Sequence, residues 1–371
     1  METFFNLIQE VQKPGLCHRC GGCVTFCTAI NYGALELDED GKPRYADMEK
    51  CIECGLCYSI CPEIGEYEDE VRRRAAWSEP NGRIIETTVA RAADPEVRKV
   101  ATDGGVVTAM LLHLFENGRI DGAIVARQGE SFARTPALAV SKEDILSAAG
   151  FFFDTSHGMK QFSDKYVTLS AIEGFAPLMK KGLRRIALVG TPCQIKAYRR
   201  MEAMGIVPSD SVKFCLGLFC SGNFIFKEAQ RKKLAADHSF AWEDVKKINI
   251  KDRFMVHLQN GDTRIMPLED LDFMKRYACR YCPDYSSEFA DVSFGGIGAA
   301  EGWTTVITRT PLGRAIFASA KDSVLEEFPK EQNPSFSSDA LAKMREAAAK
   351  KKKAARHNRR ELGTKPVTIK E

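Results

Sequence analysis

Cysteine is the residue whose spacing carries the clearest chemical signal in this chain. Two runs share the spacing Cys-x-x-Cys-x-x-Cys-x-x-x-Cys, the first at Cys17, Cys20, Cys23 and Cys27 and the second at Cys51, Cys54, Cys57 and Cys61. This spacing is the ligand pattern for a pair of cubane iron–sulfur clusters, in which the last cysteine of each run ligates the cluster of the other run. The sequence therefore predicts one cluster on Cys17, Cys20, Cys23 and Cys61, and another on Cys51, Cys54, Cys57 and Cys27.

Other roles suit these cysteines less well. A structural zinc site takes four ligands, and two regular sets at identical spacing exceed that need. Disulfides would require an oxidising compartment. Gly21, Gly22 and Gly55 allow the backbone to fold tightly enough for its N–H groups to bond to sulfur. Thr28 stands where a proline usually follows the last cysteine of such a run, which leaves the chain path after Cys27 open.

Composition sets the class of protein. The chain has 371 residues, 44% of them hydrophobic, which is enough for a sizeable core and more than one domain. Residues 1–12 lack the pattern of a signal peptide, and no apolar stretch is long enough to span a bilayer. Thirteen cysteines in such a chain indicate a reducing compartment. We therefore expect a cytoplasmic protein.

Charge is concentrated near the carboxyl terminus. Residues 341–371 hold eleven Lys and Arg but only three Asp and Glu. Such a block typically forms an interaction tail. It would dock a partner subunit or meet anionic lipid; nucleic acid is not expected, because no aromatic residues interleave with the charges. The Ala- and Lys-rich composition of 341–353 favours a partly helical dock for an acidic partner.

The rest of the chain alternates between strand and helix patterns from residue 84 onward. Residues 122–127 and 185–190 have the continuous apolar composition of buried parallel strands, and Pro192 suits the first turn of a following helix. We predict a fold of the α+β or α/β class: a small ferredoxin-like domain (1–75), a mixed α/β body in two parts (76–160 and 161–330) and a basic tail (331–371). Residues 63–80 are charged and are interpreted as a connector. Residues 247–267 are interpreted as a hairpin around Asn260-Gly261-Asp262.

The remaining cysteines are Cys193, Cys215, Cys220, Cys279 and Cys282. Cys193 and Cys220 each follow a predicted strand, and the carboxyl ends of parallel strands meet at one edge of a sheet. Together with the Cys279-x-x-Cys282 pair they would form a third cubane site. Zinc ligation and ordinary buried thiols remain open alternatives for this set. Cys215 lies within a predicted strand and is expected in the core.

Several motifs of the body resemble a known family. They are Gly190-Thr-Pro-Cys193-Gln194, Leu218-Phe-Cys220-Ser-Gly222, Cys279-x-x-Cys282-Pro283 and Asp291-Val-Ser-Phe-Gly295-Gly296. In this order they resemble the beta subunits of coenzyme F420 hydrogenases and dehydrogenases, over about residues 75–320. The fused two-cluster module and the 295–304 sequence are most similar to the electron-input (F) subunit of the archaeal F420H2 dehydrogenase complex.

This resemblance implies cofactors and site residues. It implies one FAD, a deazaflavin site over the flavin and a third 4Fe–4S cluster on Cys193, Cys220, Cys279 and Cys282. The glycine-rich loop of the family matches Thr102, Asp103, Gly104, Gly105, Val106, Val107 and Thr108, where the N–H groups opening a helix would hold the pyrophosphate. Asp103 would repel phosphate, so it is expected at the ribityl chain or ring edge.

Two lysines are further candidates for contacts with the coenzymes. Lys165, within residues 163–166, would offset flavin or pyrophosphate charge. Lys196, with Arg199 and Arg200, would meet the acidic tail of the deazaflavin. A solvated surface position is an equally simple interpretation of these lysines.

The resemblance also implies a mechanism and partners. Reduced coenzyme F420 would give a hydride to FAD, and single electrons would leave through the clusters; no general base is needed, so no catalytic side chain is predicted. The acceptor would be a membrane-bound, complex I-like F420H2 dehydrogenase that holds the protein at the cytoplasmic face of the membrane, or a ferredoxin. Alternatives are a subunit serving a formate dehydrogenase, a hydrogenase, a sulfite reductase or a glutamate synthase, and a flavin-free electron relay.

Overall fold

The fold is taken from a computed structural model that describes residues 2–29, 32–128, 134–150, 183–206, 209–329 and 331–363. The candidate contact Lys165 and the segment 163–166 around it lie outside these residues. Within them, no helix is long and apolar enough to cross a membrane.

The amino-terminal module is small and is built around its cysteine runs. Its elements are helices α1 (Phe4–Leu7), α2 (Gly22–Ala29) and α3 (Leu56–Ile60), and strands β1 (Leu35–Leu37) and β2 (Pro43–Tyr45). The two strands pair antiparallel, with Leu35 opposite Tyr45 across a turn that contains Gly41 at φ +74°. The hydrophobic core of this module includes Phe4, Leu7 and Val11 together with most of the cysteines.

The segment expected to be a connector is partly a helix, so that prediction was wrong. Helix α4 (Glu68–Arg74) forms there because acids occupy its first turn and arginines its last turn, as the helix dipole favours. Ion pairs one turn apart join Glu68 to Arg72 (3.0 Å) and Glu70 to Arg74 (2.6 Å). Glu68 is buried, which places this charged helix against the body.

The body alternates strands and helices, as the sequence predicts. Its strands are β3 (Glu86–Ala92), β4 (Gly122–Gln128), β5 (Arg134–Ala139), β6 (Ile186–Gly190), β7 (Val212–Leu218), β8 (Val245–Ile250), β9 (Arg253–Leu258), β10 (Thr263–Pro267), β11 (Val292–Gly295), β12 (Thr304–Thr308) and β13 (Leu325–Glu327). Its helices are α5 (Pro95–Val100), α6 (Val106–Glu116), α7 (Lys142–Ser147), α8 (Pro192–Met204), α9 (Glu228–Asp237), α10 (Pro311–Lys321) and α11 (Phe336–Glu361).

Most of these strands form one mixed sheet. In the described residues its order is β13-β3-β12-β11-β7-β6-β4-β5. The central strands β11, β7, β6 and β4 run parallel, while β12, β3, β13 and β5 pair antiparallel with their neighbours. Because β6, β7 and β11 are parallel neighbours, the segments that follow Gly190, Leu218 and Gly295 emerge at one edge of the sheet.

A three-stranded antiparallel sheet, β10-β9-β8, forms a separate layer. The predicted hairpin is present: Thr263 pairs with His257 around Gly261, which has φ +92°. The apolar face of this sheet has its own core, which includes Ile248, Phe254 and Val256. The strand end at Ile250 and the following Lys251 reach the edge where the parallel strands end.

The basic carboxyl-terminal segment forms a helix that is part of the fold. One face of this helix is buried, so that face is not free to dock a partner, contrary to the prediction. Helix α11 buries Met344, Ala348 and Arg359 against the body and the amino-terminal module. An alanine-rich stripe allows this close packing, and the basic residues divide between the inner and outer faces. Ion pairs join Lys352 to Glu288 (2.6 Å) and Arg359 to Glu63 (2.5 Å).

Candidate functional site

The cysteines of the amino-terminal module line two separate cavities. The first is lined by Cys17, Cys20, Cys23 and Cys61, and the second by Cys27, Cys51, Cys54 and Cys57. Each cavity thus combines three cysteines of one run with the last cysteine of the other run. This is the grouping on which the predicted pair of clusters depends; cluster ligation itself stays a prediction.

The loops around both cavities have the same backbone shape. Arg19 and Gly21 in the first run have φ of +54° and +84°, and Glu53 and Gly55, at the equivalent positions of the second run, have φ of +54° and +72°. The sequence repeat is therefore also a repeat of conformation. Such left-handed residues turn N–H groups inward, and Cys20 accepts a backbone hydrogen bond from Gly22.

The electrostatics of these cavities suit a ligand that brings positive charge. Burial is the main cause that raises the pKa of Cys20 and of Cys57 to about 12, and charge interactions with neighbouring cysteines contribute to both values. Thiols at such positions stay protonated at neutral pH unless a metal binds the thiolate. In the described residues, no group of three or more His, Cys, Asp or Glu is arranged to hold a metal ion. The fit to a cubane cluster thus depends on the cysteine grouping and the surrounding backbone donors.

A third group of cysteines lies at the carboxyl edge of the parallel strands. Cys193 is in the first turn of α8, directly after β6, and Cys220 lies two residues after β7. Charge interactions link Cys193 to Cys220 and Cys282, and Cys220 to Cys279 and Cys282. The four predicted ligands are therefore neighbours. Cys215 is buried in the core within β7, as predicted.

Helix α8 places Cys193 through its amino-terminal turn. Pro192 occupies the first helical position, and Thr191 and Gln194 form a capping box in which the Gln194 Oε1 atom accepts from the Thr191 N–H (2.9 Å). This cap fixes the first turn, so that the Cys193 sulfur lies 3.4 Å from the Thr191 hydroxyl. Cys193 also interacts electrostatically with Cys20, which places the third group beside the first cavity.

A polar chain that sequence reasoning missed runs beside this junction. The His18 Nε2 atom lies 2.7 Å from Glu63 Oε1, and Arg359 donates to Glu63 Oε2 at 2.5 Å. Burial lowers the pKa of His18, but hydrogen bonds with Cys279 and Glu63 outweigh it and raise that pKa to about 9. Burial acts to raise the pKa of Cys279, but His18 brings it down to about 7. The sequence does contain one sign of this polar chain, because His18 lies between the predicted ligands Cys17 and Cys20.

A large cleft opens at the same edge, beyond the third cysteine group. Its volume is about 1370 Å³ including open solvent. Its walls include six of the seven residues of the predicted glycine-rich loop and one predicted cluster ligand: Thr102, Asp103, Gly105, Val106, Val107, Thr108 and Cys220. The cleft thus joins the predicted coenzyme loop to the third cysteine group.

Packing requires a glycine at position 104, and backbone conformation favours one at position 105. A Cβ atom on Gly104 would lie 2.8 Å from the carbonyl oxygen of Ala90, and the Gly104 N–H donates to Thr304 Oγ1 (3.1 Å). Gly104 therefore supports the loop from behind. Gly105 has φ +74° at the amino-terminal end of α6, where no side chain of the described residues caps the first turn. The N–H groups of that turn are thus available at the cleft, as an anion site requires.

Asp103 joins the glycine-rich loop to the small sheet. Its Oδ1 atom lies 3.4 Å from Lys251 Nζ and accepts from Asn249 Nδ2 at 3.3 Å. Burial raises the pKa of Asp103, and the Lys251 ammonium partly opposes the rise. Lys251 and Gly296, which also line the cleft, were not predicted from the sequence. The expected contact of Asp103 with a ribityl chain or ring edge stays a prediction.

Lys196 is placed elsewhere. Its ammonium pairs with Glu68 (2.9 Å), and it lines a different cavity, with Cys193 and Phe289, between the amino-terminal module and the body. Arg199 pairs with Asp291 (3.1 Å), and Arg200 binds carbonyl groups of the module. These three cations are not part of the lining of the cleft: Lys196 and Arg200 face Glu68 of α4, and Arg199 faces Asp291. The contact with the acidic tail of a deazaflavin stays a prediction.

Comparisons with known proteins agree with this arrangement. Residues 183–333 match the carboxyl-terminal model of the coenzyme F420 hydrogenase/dehydrogenase beta subunit, and residues 87–163 match its amino-terminal model. The beta subunit of coenzyme F420 hydrogenase from Methanosarcina barkeri is 33% identical over 68% of this chain and 84% of its own length. The chain belongs to the coenzyme F420 hydrogenase/dehydrogenase beta subunit family. Residues 9–62 match a 4Fe-4S dicluster domain, so this member of the beta subunit family carries an added ferredoxin-type module.

Two further relatives match a larger share of this chain. The F subunit of F420H2 dehydrogenase from Methanosarcina mazei is 28% identical over 87% of this chain and 88% of its own length. Coenzyme F420-dependent sulfite reductase of Methanocaldococcus jannaschii is 29% identical over 87% of this chain, but over only 49% of its own length. The chain thus spans about half of that relative.

A solved structure supports the fold of the beta subunit family. A chain of the F420-reducing NiFe hydrogenase complex from Methanosarcina barkeri superposes with a TM-score of 0.65 and 31% sequence identity, covering 77% of this chain and 94% of that chain. The predicted combination of a ferredoxin-type module with a mixed α/β body is confirmed.

Proposed function

We propose that the chain is an electron-input subunit that oxidises reduced coenzyme F420 by hydride transfer to FAD and delivers single electrons to a partner. Family membership and the relatives that carry coenzyme F420 in their names support the substrate. The cleft lined by Thr102, Gly105 and Thr108 supports the flavin site. The cysteine groups support the electron path.

One observation carries the proposal: the cleft, the third cysteine group and the two cysteine cavities are each adjacent to the next. Cys220 belongs to the third cysteine group and lines the cleft. Cys193 of the same group interacts with Cys20 of the first cavity, and Cys23 of that cavity interacts with Cys57 of the second. An electron that leaves the cleft would therefore pass three neighbouring sites and reach the surface of the amino-terminal module.

The residues of the chain would have defined tasks in this reaction. When bound, FAD supplies the conversion between a two-electron hydride and single electrons. The free N–H groups at Gly105 and Val106 would bind its pyrophosphate. Phe219 and Tyr285, whose ring centroids lie 5.7 Å apart, line the cleft and would exclude water from the reacting rings. No side chain has to move a proton for the hydride step.

The partner is proposed from the two relatives that match 87% of this chain. The nearly full-length match to the F subunit of F420H2 dehydrogenase favours a membrane-bound, complex I-like assembly, with the chain at its cytoplasmic face. The match to half of a coenzyme F420-dependent sulfite reductase favours a reductase subunit as the second candidate. A formate dehydrogenase, a hydrogenase or a ferredoxin would use the same surface of the module.

Purification without oxygen, with iron and flavin counted per chain, tests the function. We expect about twelve iron atoms from three cubane clusters, one FAD, and oxidation of reduced coenzyme F420 with a viologen dye. The Cys193→Ala variant should lose about four irons and the dye activity. The Cys215→Ala variant is the matched control and should keep both, because Cys215 belongs to none of the cysteine groups. About eight irons without flavin or activity would instead identify a flavin-free relay.

A further inference from the structure

The carboxyl-terminal helix contributes a charge to the third cysteine group. Helix α11 begins at Phe336, beyond residue 333 where the match to the beta subunit family ends. It is nevertheless packed onto the loops that hold Cys220, Cys279 and Cys282. We propose that Lys351 of this helix is a positioning residue for the third cluster, whose fixed positive charge raises the reduction potential of that cluster.

The Lys351 ammonium is held by two carbonyl groups of the ligand loops. Its Nζ atom donates to the carbonyl oxygen of Cys220 at 2.6 Å and to that of Asp284 at 2.8 Å. The Asp284 carbonyl also faces Cys282, whose sulfur lies 3.7 Å away. A single ammonium group is thus hydrogen-bonded to two loops of the predicted ligand set, one at Cys220 and one just after Cys282. Its position is fixed by geometry rather than by a flexible surface contact.

The charges around Lys351 are those of the cysteine group. Cys282, Cys220 and Cys279 have the strongest charge interactions with Lys351, and the carboxylate of Asp284 follows. That carboxylate already accepts the backbone N–H of Glu288 at 3.0 Å. A cluster with four thiolates is anionic and gains one more negative charge on reduction, so a nearby cation favours its reduced form.

Neighbouring lysines on α11 have other partners. Lys350 points outward, with its side chain 81% exposed, and pairs with Glu269 at 3.1 Å. Lys352 pairs with Glu288 and donates to the carbonyl of Pro80. Lys353 is exposed. The four-lysine run 350–353 therefore supplies one cation to the cysteine group, and Lys350 is its natural control.

This inference rests on the proposed third cluster, and the experiment separates the two. The chain is purified without oxygen as wild type, Lys351→Met, Lys351→Arg and Lys350→Met, and iron is counted in each. The clusters are then titrated electrochemically and followed by electron paramagnetic resonance. The third cluster is identified as the signal absent from Cys193→Ala. A wild-type chain with about eight irons would overturn the proposed function and the inference together.

With about twelve irons present, the midpoint of the third cluster tests Lys351 directly. We expect Lys351→Met to lower the equilibrium constant for reduction of the third cluster at least tenfold. For one electron this corresponds to a decrease of about 59 mV in the midpoint potential. Lys351→Arg should keep the wild-type midpoint, and so should Lys350→Met. If the cluster is in place and its equilibrium constant for reduction in Lys351→Met stays within twofold of the wild-type value, the inference is overturned.

Iron content covers the case in which Lys351→Met does not load the third cluster. If Lys351→Arg then contains the full iron and the wild-type midpoint, the charge is what the site requires, and the inference stands. If Lys351→Arg also lacks the cluster, the lysine acts through its shape rather than its charge, and the inference is wrong. Lys350→Met should contain the full iron in either case.

Discussion

Asp103 illustrates how one carboxyl group connects separate parts of the site. Its contacts with Lys251 and Asn249 hold the glycine-rich loop against the small sheet. The raised pKa of Asp103 means that folding favours its protonated form, although Lys251 opposes this. The stability that this group contributes is present below its unfolded pKa and is lost as pH rises through its higher folded pKa.

The Asp103→Asn variant tests this residue. Because asparagine stays neutral, we expect the variant to be more stable than wild type at pH 7, by on the order of 1 kcal/mol. The advantage should shrink as pH falls from about 7 toward about 4. Urea unfolding at several pH values measures it. Asp237→Asn, which breaks an exposed pair with Lys233, should change little. A less stable Asp103→Asn at pH 7 would show that the ion pair outweighs burial.

Residues with a fixed sequence pattern were predictable, and residues that act through distant contacts were not. The cysteine runs encode their own grouping, because the spacing is local and the loop shape repeats. Glu63 and Lys251 have no such pattern: their roles come from Arg359, 296 residues from Glu63, and from Asp103, in another layer of the fold. The ion pair of Lys196 with Glu68 was not predictable either, because sequence does not show which face of α8 is covered.

At the scale of elements, α8 joins the amino-terminal module to the body. Arg200 on this helix is fully buried and donates to the carbonyl groups of Ser59 (3.0 Å), Ile64 (2.5 Å) and Glu66 (2.6 Å). Its guanidinium also meets Glu68 at 3.1 Å. The planar fork of arginine suits this set of acceptors better than any other cation. Cys193 lies on the same helix, so the helix fixes the third cysteine group relative to the module.

Replacing Arg200 should loosen that junction. We expect Arg200→Met to lower the free energy of unfolding by about 3–5 kcal/mol, because it removes one buried partner of Glu68 and leaves the carbonyl groups of Ser59, Ile64 and Glu66 without this donor. Arg73→Met is the matched control: its side chain is 72% exposed and pairs with Glu70, so a loss below about 1 kcal/mol is expected. Chemical unfolding of both variants gives the comparison. Equal losses would mean that Arg200 has no special role.

Elements were predicted well where a local rule sets them. Pro192 and Gln194 mark the start of α8, and the Asn260-Gly261 turn marks the β9–β10 hairpin. Helix α4 was missed because its sequence is charged throughout, and its burial depends on Lys196 and Arg200 of another helix. A polar segment is therefore interpreted as a connector as long as the residues that form ion pairs with it are unknown.

At the scale of the whole molecule, α11 links three parts of the chain. It packs on the sheet, holds the loops of the third cysteine group through Lys351, and reaches the amino-terminal module through Arg359. Leu362, just after the helix, packs against the core of that module. Basic composition alone suggested a docking segment; the spacing of Met344, Ala348 and Ala355 explains why one face is internal.

Removal of residues 334–371 should therefore damage the whole molecule rather than a docking step alone. We expect loss of iron from the third site and lower thermal stability, with about 3 kcal/mol lost from the broken pair of buried Arg359 and Glu63. Iron content and thermal unfolding are the measurements. Removal of residues 364–371, which spares the helix, is the control and should preserve both. Wild-type iron content after the longer deletion would contradict an internal role for α11.

The contact between Arg359 and Glu63 also has a consequence for biosynthesis. Ribosomes add residues in order from the amino terminus, so residues 17–61 emerge long before residue 359. During that interval His18 and Glu63 lack their last partner, and the loops of the third group lack Lys351. All eight cysteines of the amino-terminal module are thus synthesised before the third cysteine group and its lysine are complete.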